Sequence, residues 1–293
     1  MATQPALGKI GIWTAALRVS ESRSAQEVSE AAAELDALGY GTLWFGGSPS
    51  ADQAATLLEA TDRITVATGI LSIWDHSAAH VADRYAAIDA AHPGRFVLGL
   101  GVSHSALAGE RYKRPYSAMR DYLTDLDSAP IPVPASRRVL AALGPKMLEL
   151  SRDRAAGAHP YLVTPEFTAE AREILGDGAL LAPDLKVVLD TDLDRARTTA
   201  RNYLSMYLKL PNYTNNLLRW GFEEKDFADG GSERLVNSVF ALGDAEAIRR
   251  RVDTYLEAGA DHLAVQVVTS DPFTTLPREE WRTLAEALPL GSH

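Results

Sequence analysis

Three short stretches of this chain combine glycine with polar or basic neighbours in patterns that suit ligand chemistry. Leu143-Gly144-Pro145-Lys146-Met147 reads as a strand end followed at once by a helix. The free N–H groups of a helix start, with the helix dipole behind them, attract an anion, and Lys146 adds positive charge. An ordinary strand-to-helix turn would read the same way. Gly94-Arg95-Phe96-Val97-Leu98-Gly99-Leu100-Gly101-Val102-Ser103-His104 reads as a turn, a buried parallel strand and an exit opened by two glycines. If the two exits are neighbours, Gly101, Val102, Ser103 and His104 on one side and Gly144, Pro145 and Lys146 on the other form one phosphate cradle. In the third stretch, Thr68-Gly69-Ile70, a glycine interrupts a β-branched strand, which marks either a bulge or a packing position.

Histidines supply the acid–base candidates. His76, His104 and His159 fall at or just past strand ends, with Asp75 beside the first of them. Each has the alternative of a structural hydrogen-bonding role. Trp13, Trp44 and Trp74 are expected to line a substrate pocket, with core packing as the competing role, most of all for Trp44. No G-x-S-x-G elbow, no cysteine and no H-E-x-x-H occurs, so neither a nucleophile nor a metal site is expected. Glycine-rich strand ends with few proton-transfer groups suit a bound cofactor that carries the reaction itself.

These stretches need a scaffold that brings strand ends together. Strand-like runs at Lys9–Trp13, Gly41–Phe45, Ile64–Leu71, Phe96–Gly101, Arg138–Leu143, Ala158–Val163, Asp184–Leu189 and Asp261–Val268 alternate with helical patterns. Eight such units predict an α/β fold, a (β/α)8 TIM barrel with its chemistry at the C-terminal strand ends. A doubly wound sheet is the runner-up. One barrel domain over 1–293 is expected, with an insertion near 211–231, before the last helix, serving as a surface elaboration or as a lid.

The chain has 293 residues, 46% hydrophobic content and a formal net charge of −10. That balance argues against nucleic acid, which needs clustered Lys and Arg, and against anionic membranes. The N-terminal residues lack a basic region followed by an apolar core, so no secretory signal is expected. The lack of cysteine fits a cytoplasmic protein.

Several segments together resemble a known family. Gly8-Lys9-Ile10-Gly11-Ile12-Trp13, Leu38-Gly39-Tyr40-Gly41-Thr42-Leu43-Trp44, Gly94–His104 and Ala142–Leu150 running on to Gly157–Glu166 are, in that order and spacing, similar to the luciferase-like monooxygenase superfamily. The chain most resembles its probable coenzyme F420-dependent oxidoreductases. The resemblance implies hydride transfer between F420 and a small organic substrate, with an FMN-dependent monooxygenase and a separate reductase as the alternative. It also implies a homodimer, a cofactor ring resting on a non-proline cis peptide at Gly69-Ile70, and phosphate held at Gly101–His104 and Gly144–Lys146. Relatives often place an acidic residue and a histidine after the second strand. This chain has Phe45-Gly46-Gly47-Ser48 there, leaving Asp75, His76, His104 or His159 for the proton. A cofactor-binding protein with little turnover also fits that loss.

Overall fold

The computed structural model describes residues 4–21 and 23–291; Met1, Ala2, Thr3, Ser22, Ser292 and His293, and the part of the leader reading that falls on the first three, lie outside the described residues. In chain order the elements are β1 (Ile10–Thr14), α1 (Ala25–Ala37), β2 (Thr42–Phe45), α2 (Asp52–Glu59), β3 (Thr65–Thr68), β4 (Leu71–Ser72), α3 (Ala78–Ala91), β5 (Phe96–Gly101), α4 (Ser105–Ala108), α5 (Pro115–Asp127), β6 (Arg138–Leu140) and α6 (Pro145–Arg154). They continue as β7 (Gly157–Ala158), α7 (Pro165–Leu175), β8 (Leu180–Leu181), β9 (Asp184–Leu189), α8 (Leu193–Tyr207), α9 (Pro211–Arg219), α10 (Glu233–Val239), β10 (Phe240–Gly243), α11 (Ala245–Glu257), β11 (Leu263–Val267) and α12 (Arg278–Ala287).

The sheet is parallel and follows the order β10-β9-β11-β1-β2-β3-β5-β6-β7-β8, with β4 also paired to β5. β8 passes through Ala182-Pro183 into β9. Along that passage the Ala182 and Asp184 amides donate to the carbonyls of Ala158 and Pro160 at 2.9 and 3.0 Å. The ring therefore closes through eight staves: β1, β2, β3, β5, β6, β7, the β8–β9 line and β11. Closure excludes the doubly wound alternative, in which β1 would not meet β11. β10 attaches to β9 outside the ring.

Local chemistry explains the outer elements. Ser24 and Glu27 form a reciprocal capping box at the start of α1, with Ser24 N to the Glu27 carboxylate at 2.8 Å. The buried stripe of α1, Val28, Ala31, Ala32 and Leu35, packs on the sheet. Inside the ring the register line Trp13–Trp44–Ala67–Val97 shows how the lumen is filled. Two indoles occupy it because the facing positions are small: Ala67, Ala182 and Ala264.

Several expectations need correction. The third strand breaks at Gly69-Ile70 into β3 and β4. The sixth strand is only Gly157–Ala158, since Leu162 turns left-handed at φ 56°. Segment 211–231 is ordered, holding α9 and a 3-10 stretch, Glu224–Gly230. Three helices follow it, α10, α11 and α12, where the alternating pattern predicts one. α12 lies beyond the alternating pattern, and its short apolar stripe, Trp281 and Leu284, is completely buried.

Gly99 lies where β5 presses on β3. A Cβ there would stand 1.9 Å from the Thr68 carbonyl oxygen, and Thr68 Oγ1 already bridges to Gly99 through bonds of 2.7 and 2.8 Å. Gly99→Ala should lower stability by about 1–3 kcal/mol, read by urea denaturation. An unchanged midpoint would contradict this packing.

Candidate functional site

The exits of the fourth and fifth staves are neighbours. Leu100 is in register with Leu140, and the Ala141 amide donates to the Leu100 carbonyl at 2.8 Å. Gly101–His104 and Gly144–Lys146 therefore leave the ring side by side. Val102, Ser103, His104, Leu143 and Gly144 are partly exposed there, and Pro145 and Lys146 are exposed. The start of α6 has no side-chain cap, and a Cβ on Gly144 would meet nothing within 4 Å. Pro145 has no N–H, and the Met147 and Leu148 amides already donate to the Gly144 carbonyl at 3.0 Å, so it is the Lys146 amide, the dipole end and the Lys146 side chain that face open space. Ser103 holds a left-handed φ of 54°, uncommon for a residue with a side chain, and its carbonyl accepts from Asn212 Nδ2 at 3.3 Å.

Gly69 and Ile70 form the adjoining wall. Their peptide is cis, and the Gly69 carbonyl accepts from Trp13 Nε1 at 3.0 Å. Ile70 leans against Gly101, where a Cβ would lie 2.5 Å from Ile70 Cδ1. Trp13 closes the floor of the mouth, its ring 5.4 Å from that of Tyr161. Trp74 stands at the rim, with Nε1 donating to the Val102 carbonyl at 2.6 Å.

The remaining candidates lie elsewhere. Trp44 is fully buried, stacked on His159 at 4.2 Å between ring centroids, and donates from Nε1 to His262 Nε2 at 2.9 Å. It packs in the lumen with Trp13, Ala67 and Val97. His159 is buried with it; its Nδ1 donates to the Ala182 carbonyl at 2.6 Å, and its Nε2 is buried without a partner. Asp75 is half-exposed and paired with Arg111 at 3.2 Å. His76 stacks on His80 at 5.8 Å, and its carbonyl accepts from Tyr122 on α5, which sets it on the α3–α5 rim. Only His104 stays at the cradle. Its Nδ1 is buried without a partner. Burial lowers its proton affinity, partly offset by the Asn212 side chain, so a neutral ring is favoured at pH 7.

Next to the mouth lies a polar cluster that the strand-end reading passed over. Asp184 and Lys186 are a buried ion pair inside the β9 stave, and the Lys186 ammonium sits 3.5 Å from the Tyr161 ring centroid. Asp184 also accepts from the Leu162 amide at 2.6 Å, fixing the left-handed turn that aims Tyr161. The Tyr161 hydroxyl meets those of Tyr203 and Tyr207 at 2.7 and 3.0 Å and donates to Gln266 Oε1 at 2.9 Å. Burial holds the Tyr161 and Tyr203 phenols well above their usual range, so they remain protonated. Two signals could have found this cluster: charges two apart in the apolar strand Asp184–Leu189, which must share a face, and tyrosines four apart on one helix.

Residues 9–127 match the family model of the luciferase-like monooxygenases. No curated protein sequence matches the chain. Among solved structures, the coenzyme F420-dependent tetrahydromethanopterin reductase from Methanopyrus kandleri aligns over 97% of this chain and 99% of its own, with 14% identity and a TM-score of 0.75. An F420-dependent secondary alcohol dehydrogenase, solved with an F420-acetone adduct, aligns over 97% and 98%, with 15% identity and a TM-score of 0.69. The oxygenating constituent of 3,6-diketocamphane monooxygenase from Pseudomonas putida, in complex with FMN, aligns over 96% and 99%, with 12% identity and a TM-score of 0.66. These likenesses carry the fold over the whole chain, and the luciferase-like resemblance holds at the sequence level over residues 9–127. No helix among the described residues is long and apolar enough to cross a membrane.

Burial holds both His159 and His262 down to about 4. The unfolded chain takes up these protons as pH drops below about 6.5, whereas the folded chain resists until about pH 4. Stability should therefore fall across that window, by up to about 3 kcal/mol for each histidine. Urea unfolding at pH 7, 5.5 and 4 measures the slope, and His159→Phe should flatten it. An equal slope in both proteins would contradict the burial of a neutral imidazole.

Proposed function

We propose that the chain is a deazaflavin- or flavin-dependent oxidoreductase acting on a small organic molecule, with coenzyme F420 the preferred cofactor and FMN the alternative. The observation that carries this reading is the pairing of the Gly101–His104 and Gly144–Lys146 exits beside Gly69-Ile70. Two of the structural likenesses are to F420-dependent proteins, and one is to a protein in complex with FMN.

The residues present fit such a group. The open space over Gly144 and the uncapped start of α6 suit a phosphate. The orphaned Nδ1 of His104 suits a polar atom of a ligand. When bound, a deazaflavin or flavin supplies two-electron chemistry. The Lys146 amide and side chain, together with Ser103, would hold its phosphate. Ile70 and Trp13 would give an apolar wall that excludes water. His104, neutral at pH 7 with a bare nitrogen, would accept or return the substrate's proton at Nδ1. It thus takes the role that Phe45-Gly46-Gly47-Ser48 leaves vacant. The reading brings with it a cytoplasmic homodimer, with a separate reductase only in the FMN case.

Anaerobic titration with F420 and with FMN tests the cofactor, and tight FMN binding without F420 binding would reverse the preference. Gly144→Val should weaken cofactor affinity at least about tenfold, or about 1.4 kcal/mol, with an unchanged melting temperature because its Cβ meets open space. Unchanged affinity would remove the cradle. Given a turned-over substrate, His104→Gln should lower kcat by about 100-fold with little change in KM. Full activity would place the proton elsewhere.

A further inference from the structure

Buried polar atoms in folded proteins nearly always have partners, so those without one point to a ligand, a water or a strain. Among the described residues several arginine Nε atoms lack one, but their guanidinium groups are held by other contacts, such as Arg138 to Asp127 and Arg251 to the Ser238 carbonyl. The Tyr85 hydroxyl, on α3, and His159 Nε2, in the lumen, are two more orphans, and the other three lie along one seam: His104 Nδ1, Asn216 Oδ1 and Trp220 Nε1. The seam is the inner face of α9 where it lies over the strand exits.

The placement of α9 is set at both ends of the cradle. Asn212 donates to the Ser103 carbonyl, and Arg219 donates to the Leu143 carbonyl, each at 3.3 Å. Between them Tyr213 packs on His104 at 5.1 Å and on Tyr161 at 6.0 Å. Asn216 follows on the same face and is only 5% exposed. Trp220, one turn on, packs on Phe167 and lines a cavity of about 250 Å³ with Thr164, Glu166, Phe222, Arg234 and Ser238.

We propose that this inner face of α9 is the substrate-recognition surface, with Asn216 and Trp220 binding an uncharged molecule that carries an N–H or O–H donor beside a carbonyl acceptor. The proposal rests on the oxidoreductase reading, which puts the substrate at these strand exits. The chemistry follows from the orphans. Asn216 Oδ1 lacks a donor, and the Trp220 N–H lacks an acceptor. The neighbouring arginines already have carboxylates: Arg219 pairs with Glu170 at 3.3 Å, and Arg234 with Asp226 at 3.4 Å. Glu166 on the same cavity is exposed to solvent, whereas the Asn216 amide oxygen and the Trp220 N–H are buried and uncharged, so this part of the seam favours a neutral guest, because a buried unpaired charge is far costlier than a buried dipole. Tyr213 supplies the aromatic wall.

The test uses 2-pyrrolidinone, whose N–H adjoins its carbonyl, and N-methylpyrrolidinone, which lacks the N–H. Thermal melts are recorded for the wild type, Asn216→Leu and Trp220→Phe. Without probe, Asn216→Leu should melt no lower than the wild type, because nothing in the free protein satisfies the amide oxygen. With probe, 2-pyrrolidinone should raise the wild-type midpoint by about 2 °C or more, and N-methylpyrrolidinone by less. The rise should vanish in Asn216→Leu and shrink in Trp220→Phe. No rise in the wild type, an equal rise in all three proteins, or a free Asn216→Leu that melts several degrees lower would overturn the proposal. The last outcome would mean that the amide has a structural partner. Titration of the same proteins with F420 and FMN separates the two ideas: both cofactors failing to bind the wild type removes the oxidoreductase reading and leaves the probe shifts standing.

Discussion

The pairing of β5 with β6 is the constraint on which the rest of the mouth depends. It sets Leu100 opposite Leu140, and everything downstream on both strands inherits that alignment. Gly101–His104 and Gly144–Lys146 are forty residues apart in sequence, yet they emerge together. Gly99 and Gly101 make this possible, since any side chain there would strike Thr68 or Ile70. Close backbone approach on one side of the strand thus opens room for a ligand on the other.

The lumen beneath supports that mouth by rigid filling. Trp44, stacked on His159 and bonded to His262, occupies the middle layer. Trp13, its register partner on β1, holds the Gly69 carbonyl. Gly11 and Gly46 are required by these rings: a Cβ on Gly46 would lie 2.1 Å from the Trp13 indole, and one on Gly11 would lie 2.9 Å from His262. Beside them Asp184 and Lys186 form a buried pair whose desolvation is offset by mutual attraction, an amide donor and an aromatic face. Such a pair is weak evidence of stability. Its visible effect is positional, since Asp184 fixes the turn that delivers Tyr161 to the mouth.

The parts of this arrangement legible in the sequence were those with local signatures. Strand positions, the exits rich in glycine and the proline-led start of α6 all follow from period, turn residues and helix geometry. The break at Gly69-Ile70 was visible as a glycine in a β-branched run. What stayed hidden depends on packing between distant segments. Nothing local marks His159 as entombed, because a histidine after a strand looks the same whether it faces solvent or an indole. The polar cluster around Tyr161 draws on four stretches of chain, and only the ring closure brings them together. The segment of α9 was legible only as an insertion, a surface elaboration or a lid, and that Asn212 and Arg219 hold it over the strand exits follows only from their carbonyl partners there.

The central claim is that the adjoining exits of β5 and β6 hold the phosphate of a flavin-type cofactor beside Ile70. A crystal structure of the protein grown with F420 or FMN tests it most directly. The account predicts phosphate density within hydrogen-bond reach of the Lys146 amide and of Ser103, with the ring against Ile70 and Trp13. Cofactor density on any other face, or ordered cofactor with its phosphate away from the start of α6, would contradict it.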